Sequence, residues 1–189
     1  MTLLMKTSAK PSKTDKNEKG GKFLPAFCSF LGTLIIILVI CIALMFAVPG
    51  LFGYEIYTVV SGSMEPALPT GSAVFVKYAA PETIELGEIV AYMDGSEPVT
   101  HRVIENHMVE RELVTKGDAN EIADFEPVPY GSVIGNVRYS VPLLGFYLTA
   151  LTSVAGKAYL ICFTACGLLL NLIASVLRDS RRYRAQAAQ

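Results

Sequence analysis

Two long uncharged runs, with a series of short alternating segments between them, dominate the hydrophobic pattern of the chain. The first run covers residues 28–48 and the second covers residues 158–177. A helix rises about 1.5 Å per residue, so each run would be about 30 Å long, which matches the hydrocarbon core of a bilayer. The pattern therefore predicts two transmembrane helices.

The segment between the two runs, residues 49–157, shows the short periods of β-strands. Six β-like runs are separated by Gly, Pro, Asp and Asn: YEIYTVV, SAVFVKY, EIVAYM, VTHRVIE, ELVTK and SVIGNVRYSV. No long segment with a 3.6-residue period lies among these six runs. We therefore predict a mainly β fold, with one compact β-rich domain flanked by two transmembrane helices.

The apolar stretch 141–156, which Pro142 and two glycines interrupt, is expected to lie along the membrane surface.

The distribution of charge predicts how the chain crosses the membrane. Six Lys and two acidic residues precede the first run, and four Arg and one Asp follow the second, whereas residues 49–157 carry six basic and fourteen acidic side chains. The positive-inside rule then places both termini in the cytoplasm and the acidic domain outside. Residues 1–27 are interpreted as a disordered basic leader and residues 178–189 as a basic tail. The first run exceeds the roughly 7–15 apolar residues of a cleaved signal peptide and is interpreted as an anchor.

Composition also argues against several functions. An acidic outer domain would repel the phosphates of nucleic acids, and the chain has neither a GxxxxGK[ST] nor a GxGxxG motif. All four cysteines lie in the apolar runs, so the outer domain has no disulfide framework. Cys162 and Cys166 are one helical turn apart but have no histidine or carboxylate nearby in sequence, and they are interpreted as lipid-buried thiols. We predict no metal and no cofactor.

The first segment with catalytic potential is VVSGSMEPALPTGS, residues 59–72. Gly62 allows a tight turn beside Ser63, and Pro66 stiffens the exit, so this turn is suited to present the Ser63 hydroxyl and its own backbone amide to a carbonyl group. Ser61 adds a second hydroxyl donor. Ser-Gly-Ser is nevertheless a common loop composition, so a catalytic interpretation requires a base and a group that orients the base.

The sequence contains two histidines, and only one has the position expected of a base. His101 lies within the β-like run VTHRVIE, where strand alternation fixes its direction, whereas His107 lies in a turn and is expected to be solvated. Asp118 and Asp124 follow in TKGDANEIAD, and either could orient an imidazole. Lys77 is the alternative base, in a Ser/Lys dyad, although a lysine in FVKY is more typical of a solvated strand position.

Taken together, SGSMEPALPTGS, HRVIE and TKGDANEIAD occur in an order that resembles the type I signal peptidases. The usual bacterial members have a lysine base just before the Arg-Val pair, and here that position is His101. A histidine there resembles the endoplasmic-reticulum-type and SipW-like branch of the family. The resemblance covers about residues 57–142 and implies the fold of the signal peptidase catalytic domain.

The resemblance also implies roles for individual residues. Ser63 matches the nucleophile, His101 the general base and Asp124 the acid of the triad, while Asp118 matches a supporting aspartate. Ser61 and the Ser63 amide match the oxyanion donors. The chain has GDAN where many relatives have GDNN, which retains Asn120 but replaces the other amide.

The function implied by the resemblance is that of a membrane-bound serine endopeptidase that removes signal peptides from exported preproteins with small residues before the cleavage site. Preproteins and the lipid bilayer are then partners, with secretion machinery as a further partner. A histidine base predicts that activity falls in acid. Residues close enough in sequence to Ser63 to line a substrate pocket are Ile56, Val59, Met64 and Pro66.

The alternative function is a non-enzymatic two-span membrane protein with a β-rich domain for binding or assembly, which would tolerate Ser63→Ala.

Overall fold

A computed structural model of the protein describes residues 13–187. Along the chain it contains α1 (Lys13–Leu51), β1 (Tyr54–Thr58), β2 (Ala73–Lys77), β3 (Ile89–Asp94), β4 (Glu97–His107), β5 (Glu112–Lys116), β6 (Val128–Pro129), β7 (Val133–Val141), α2 (Leu144–Thr152) and α3 (Val154–Gln186). Single 3-10 turns occupy Pro81–Thr83 and Tyr130–Ser132. The described chain divides into a helical unit, formed by most of α1 and α3, and a sheet unit over residues 42–158.

The seven strands form one antiparallel sheet in the order β1-β2-β7-β3-β4-β5-β6. Each of the six predicted β-like runs overlaps one of the strands β1 to β5 and β7. The two-residue strand β6 was not predicted, because Val128–Pro129 is too short to show alternation. The β-rich domain is thus present, but helices of 39, 9 and 33 residues make the whole chain mixed α and β rather than mainly β.

The sheet has apolar side chains packed on both of its faces. On β3, Val90 and Tyr92 belong to one buried cluster, and Ala91 between them belongs to a second. Because successive strand residues point to opposite faces, this split means that both faces of β3 are covered. Met64 and Leu68, which follow Ser63 in the β1–β2 connection, are 1% and 2% exposed and anchor that connection in the second cluster. The connection is therefore an ordered part of the core.

Both long helices extend beyond the predicted spans. The first twelve residues of the predicted leader lie outside the described part of the chain, and α1 begins at Lys13. Lys, Glu and Arg are good helix formers, so a helix continues past the end of an uncharged run. The segments that are long and apolar enough to cross a bilayer are Phe23–Leu51 and Val154–Tyr183, with mean hydropathies of 3.1 and 2.3.

Within the helical unit, α1 and α3 contact each other through small and polar residues. A Cβ atom on Gly32 would lie 2.7 Å from the carbonyl oxygen of Gly167, so the backbones approach closely at this point. Ser29 and Thr33 place their Oγ and Oγ1 atoms 3.3 and 3.4 Å from Oδ1 of Asn171. Glycine contacts and interhelical hydrogen bonds of this kind are typical of helices that pack in a bilayer.

The stretch predicted to lie along the membrane surface forms α2 and the start of α3. Thr58 of β1 donates from Oγ1 to the carbonyl oxygen of Gly145 at 3.4 Å, and a Cβ atom on Gly71 would collide with the ring of Phe146. Gly71 also has φ +82°, which a residue with a side chain adopts only at a cost in energy. Helix α2 therefore packs on the base of the β1–β2 connection.

Candidate active site

The β1–β2 connection holds Ser63 in a closed loop. Its two ends are joined by hydrogen bonds from the Val59 amide to the Ser72 carbonyl oxygen, 2.9 Å, and from the Gly71 amide to the Val59 carbonyl oxygen, 2.8 Å. Thr70 Oγ1 donates to Glu65 Oε1 at 3.1 Å and braces the interior of the loop. With these bonds, and with its neighbour Met64 buried in the core, the Ser63 hydroxyl has a defined position.

His101 approaches Ser63 from the middle of the sheet. It lies on β4 opposite Val90 of β3 and is 9% exposed. Its Nε2 atom is 3.2 Å from Oγ of Ser63. Because ladder hydrogen bonds on both edges fix the β4 backbone, the imidazole is held at that distance by the sheet and not by a flexible loop.

Asp124 completes the contact chain on the other side of the imidazole. Its Oδ2 atom is 2.5 Å from Nδ1 of His101, and its side chain is 18% exposed. A carboxylate at Nδ1 favours the tautomer in which Nδ1 carries the proton and Nε2 is free to accept one from a hydroxyl. The structure thus brings Ser63, His101 and Asp124 together in the geometry of a Ser-His-Asp triad.

Asp118, the other aspartate considered from the sequence, binds the neighbouring residue. Arg102 donates from Nε to Asp118 Oδ1 at 2.7 Å and from its terminal amino group to Oδ2 at 2.5 Å. These hydrogen bonds raise the pKa of Arg102 above its ordinary value. The next residue, Ala119, donates its amide to the carbonyl oxygen of Ser63 at 2.9 Å. Asp118 therefore anchors a turn that touches the Ser63 backbone, and among the described residues its side-chain hydrogen bonds go to Arg102 and not to His101.

Ser61 also lies beside Ser63. The two Oγ atoms are 3.3 Å apart, and the Ser61 side chain is exposed. At this distance, the Ser61 hydroxyl is close enough to donate a hydrogen bond to the carbonyl oxygen of a substrate whose carbonyl carbon lies next to Oγ of Ser63. The structure therefore places the predicted donor residue at the site.

Lys77, the alternative base, and His107, the second histidine, lie elsewhere in the sheet unit. The Lys77 ammonium group sits over the ring of Tyr54, 5.4 Å from its centroid. His107, at the end of β4, contacts Glu105 at 2.7 Å and Glu112 at 3.5 Å, and the hydrogen bond to Glu105 is the main reason that its pKa is raised. Within the described chain, His101 is the base candidate that contacts Ser63.

Sequence reasoning missed two residues around Asp124. Thr115 Oγ1 donates to Asp124 Oδ2 at 2.6 Å, and the Tyr92 hydroxyl is 3.4 Å from Nδ1 of His101. Burial is the main cause that raises the pKa of Tyr92 to about 12, so this phenol stays protonated at neutral pH. The available signal was alternation on β5, which turns Thr115 inward together with Leu113.

Two cavities open onto Ser63. The smaller has a volume of about 160 Å³ and is lined mainly by small and β-branched residues, among them Val59, Ala91 and Thr100. The larger, about 650 Å³, contains His101 and Asp124. Of the four pocket residues expected from the sequence, Val59 lines the smaller cavity and Met64 is buried in the core. The hydroxyl is thus reachable from two sides.

A hydroxyl, an imidazole and a carboxylate in contact in this order are the arrangement used by serine hydrolases that attack acyl groups. Comparisons with known proteins give the particular family. No family model matches the chain. Signal peptidase I W of Bacillus subtilis is 38% identical over 87 residues, which cover 42% of this chain and 44% of that protein.

The signal peptidase complex catalytic subunit SEC11 of Ogataea parapolymorpha is 30% identical over 130 residues, which cover 57% of this chain and 73% of that protein. Human SEC11C is 35% identical over 102 residues, which cover 48% of this chain and 53% of that protein. The chain belongs to the signal peptidase family that contains these proteins. The chain spans about half the length of the Bacillus and human relatives. Family membership and the two apolar helices together indicate a membrane protein.

Proposed function

We propose that this protein is a membrane-bound serine endopeptidase that removes N-terminal signal peptides from exported preproteins. The observation that carries the proposal is the hydrogen-bonded series from Ser63 through His101 to Asp124 in a chain of the signal peptidase family. A non-enzymatic binding domain has no need of a hydroxyl, an imidazole and a carboxylate at these distances.

In the proposed mechanism, neutral His101 accepts the hydroxyl proton of Ser63 at Nε2 while Oγ of Ser63 attacks the scissile carbonyl carbon. The resulting oxyanion accepts hydrogen bonds from the Ser63 amide and the Ser61 hydroxyl. Asp124 stabilises the imidazolium, which gives its proton to the leaving amine. Water, activated by the same imidazole, then hydrolyses the acyl-enzyme and restores the Ser63 hydroxyl.

The two cavities suggest how a substrate would lie across the site. Because His101 must reach the leaving amine, the leaving-group side belongs in the larger cavity, which contains His101. The acyl side then lies in the smaller cavity of about 160 Å³, which has room for small side chains. This arrangement agrees with a preference for small residues before the cleavage site.

The proposed topology keeps the boundaries expected from the sequence. Residues 28–48 and 158–177 span the bilayer, residues 49–157 form the extracytoplasmic peptidase domain, and residues 1–27 and 178–189 are cytoplasmic. The supporting observation is the charge distribution, since both ends are basic and the middle is acidic. A cleavage site that emerges from the outer leaflet would then meet Ser63, which follows Val48 by 15 residues, at most about 50 Å of extended chain.

The test is cleavage of a preprotein with an A-x-A site by the detergent-purified full chain. Ser63→Ala and His101→Ala are each expected to lower the rate by about a thousandfold or more, because each removes a reacting group. His107→Ala is the matched control, since it removes the other histidine of the sheet unit, and it should cleave at the wild-type rate. Cleavage by Ser63→Ala at the wild-type rate would reject the peptidase and favour a binding or assembly domain, and loss in Lys77→Ala but not in His101→Ala would identify a different base.

A further inference from the structure

The side chain of Thr115 is fully buried directly beneath the candidate active site. Residues 113 and 115 of β5 point into the sheet unit, and Thr115 is 0% exposed. A buried hydroxyl needs a hydrogen-bond partner, and here that partner is Oδ2 of Asp124 at 2.6 Å. This is the same carboxylate oxygen that lies 2.5 Å from Nδ1 of His101.

Thr115 holds Asp124 through its backbone as well. The Asp124 amide donates to the Thr115 carbonyl oxygen at 2.9 Å, so one strand residue binds both the main chain and the side chain of the aspartate. Residues 117–127 form neither helix nor strand. The strand ladder therefore does not fix the position of Asp124 directly, and the link to the ladder passes through Thr115.

On the basis of the proposed function, we propose that Thr115 is a positioning residue of the peptidase, which orients the Asp124 carboxylate toward His101. The hydroxyl donates to one carboxylate oxygen and so limits rotation of the carboxyl group about its Cβ–Cγ bond. The Tyr92 hydroxyl lies 3.4 Å from Nδ1 of the same imidazole, which is the nitrogen that contacts Asp124. Without the Thr115 donor, the carboxylate would lose a defined direction.

Two substitutions separate the hydroxyl from the volume of the side chain. Thr115→Val keeps the β-branched shape that the buried strand position requires and removes the donor, whereas Thr115→Ser keeps the donor and removes a methyl group. We expect Thr115→Val to lower kcat about tenfold with KM within twofold of wild type, because misplacing a catalytic group by a fraction of an ångström costs rate and not binding. Thr115→Ser should retain kcat within about threefold.

Thr83→Val is the matched control, because the Thr83 hydroxyl donates to the Ala80 carbonyl oxygen at 2.7 Å, away from the site. It should leave kcat unchanged. Wild-type kcat in Thr115→Val, or equal losses in Thr115→Val and Thr115→Ser, would overturn the positioning role. Absence of cleavage by the wild-type chain itself would instead contradict the proposed function.

A spectroscopic measurement tests the same inference without catalysis. The sequence contains two histidines, so ¹⁵N-histidine labelling of the full chain in detergent gives few imidazole signals to assign. We expect the Nδ1–H proton resonance of His101 to shift or broaden in Thr115→Val and to keep its wild-type position in Thr115→Ser and Thr83→Val. An unchanged His101 resonance in Thr115→Val would show that the hydroxyl does not orient Asp124.

Discussion

His101 and Arg102 are neighbours on β4, and each binds an aspartate from the loop after β5, yet the two pairs have different further partners. The His101–Asp124 contact is 2.5 Å long and continues from Nε2 to the Ser63 hydroxyl. The Arg102–Asp118 pair has two hydrogen bonds of 2.7 and 2.5 Å. The third guanidinium nitrogen of Arg102 donates to the backbone carbonyl oxygen of Gly87. One pair reaches a reactive group and the other ends on the main chain.

The difference follows from strand alternation and from the chemistry of the two side chains. Successive residues of a strand point to opposite faces, so the two side chains of adjacent residues enter different environments. An imidazole can take up and release a proton near neutral pH, whereas a guanidinium remains protonated. In the proposed mechanism, a similar carboxylate contact thus supports proton transfer at His101, whereas at Arg102 it holds a turn in place.

The largest difference between the two pairs is expected in activity. Asp124→Ala should lower kcat about a hundredfold or more, because the imidazole loses the group that sets its tautomer and stabilises its charge. Asp118→Ala should cost less than about tenfold, through loosening of the turn that touches the Ser63 carbonyl. Initial rates at saturating preprotein measure both. Equal losses, or a larger loss in Asp118→Ala, would remove the distinction between the pairs.

A smaller effect is expected in the stability that the Arg102–Asp118 pair provides. Asp118→Ala removes two charge-assisted hydrogen bonds and is expected to lower the free energy of unfolding by about 1–3 kcal/mol. Glu121→Ala, which replaces an exposed acid in the same loop, is the control and should change it by less than about 0.5 kcal/mol. Thermal unfolding of the purified chain measures both variants.

The loss in Asp118→Ala should also be the same from pH 6 to pH 9. The pKa of Arg102 is raised above its ordinary value, so the guanidinium stays charged throughout this interval and loses its charge only as the pH rises above about 12. A loss confined to alkaline or to acidic solution within this interval would argue against the ion pair as its source.

The smallest effect is expected at His107, the half-buried histidine at the end of β4. The hydrogen bond to Glu105 raises the pKa of His107, so the interaction stabilises the fold at pH values below the ordinary histidine pKa of about 6.5 and disappears as the pH rises through the raised value. His107→Ala should therefore lower Tm slightly at pH 5.5 and leave it unchanged at pH 9. The opposite pH dependence would mean that neutral His107 is the stabilising form.

Local patterns in the sequence were sufficient for most of the secondary structure. Uncharged length located the two long helices, and alternation located six of the seven strands, because both signals come from neighbouring residues. The two-residue β6 and the extension of α1 to Lys13 carry no such signal, since one is too short for a period and the other passes through charged helix formers. The prediction of a mainly β fold was wrong for the chain as a whole because α1 and α3 are long helices.

The sequence by itself determined which residue types are available for chemistry: a serine in a stiff Gly-containing turn, an inward histidine on a strand, and two aspartates in one loop. It left the choice between Asp118 and Asp124 open on residue patterns alone, and alternation turned Thr115 inward without linking it to Asp124. Only the tertiary structure decided these points, because they depend on which strand lies beside β4 and on how the loop after β5 folds back. Contacts between residues far apart in the chain are fixed by packing of the sheet, and local periodicity does not encode them.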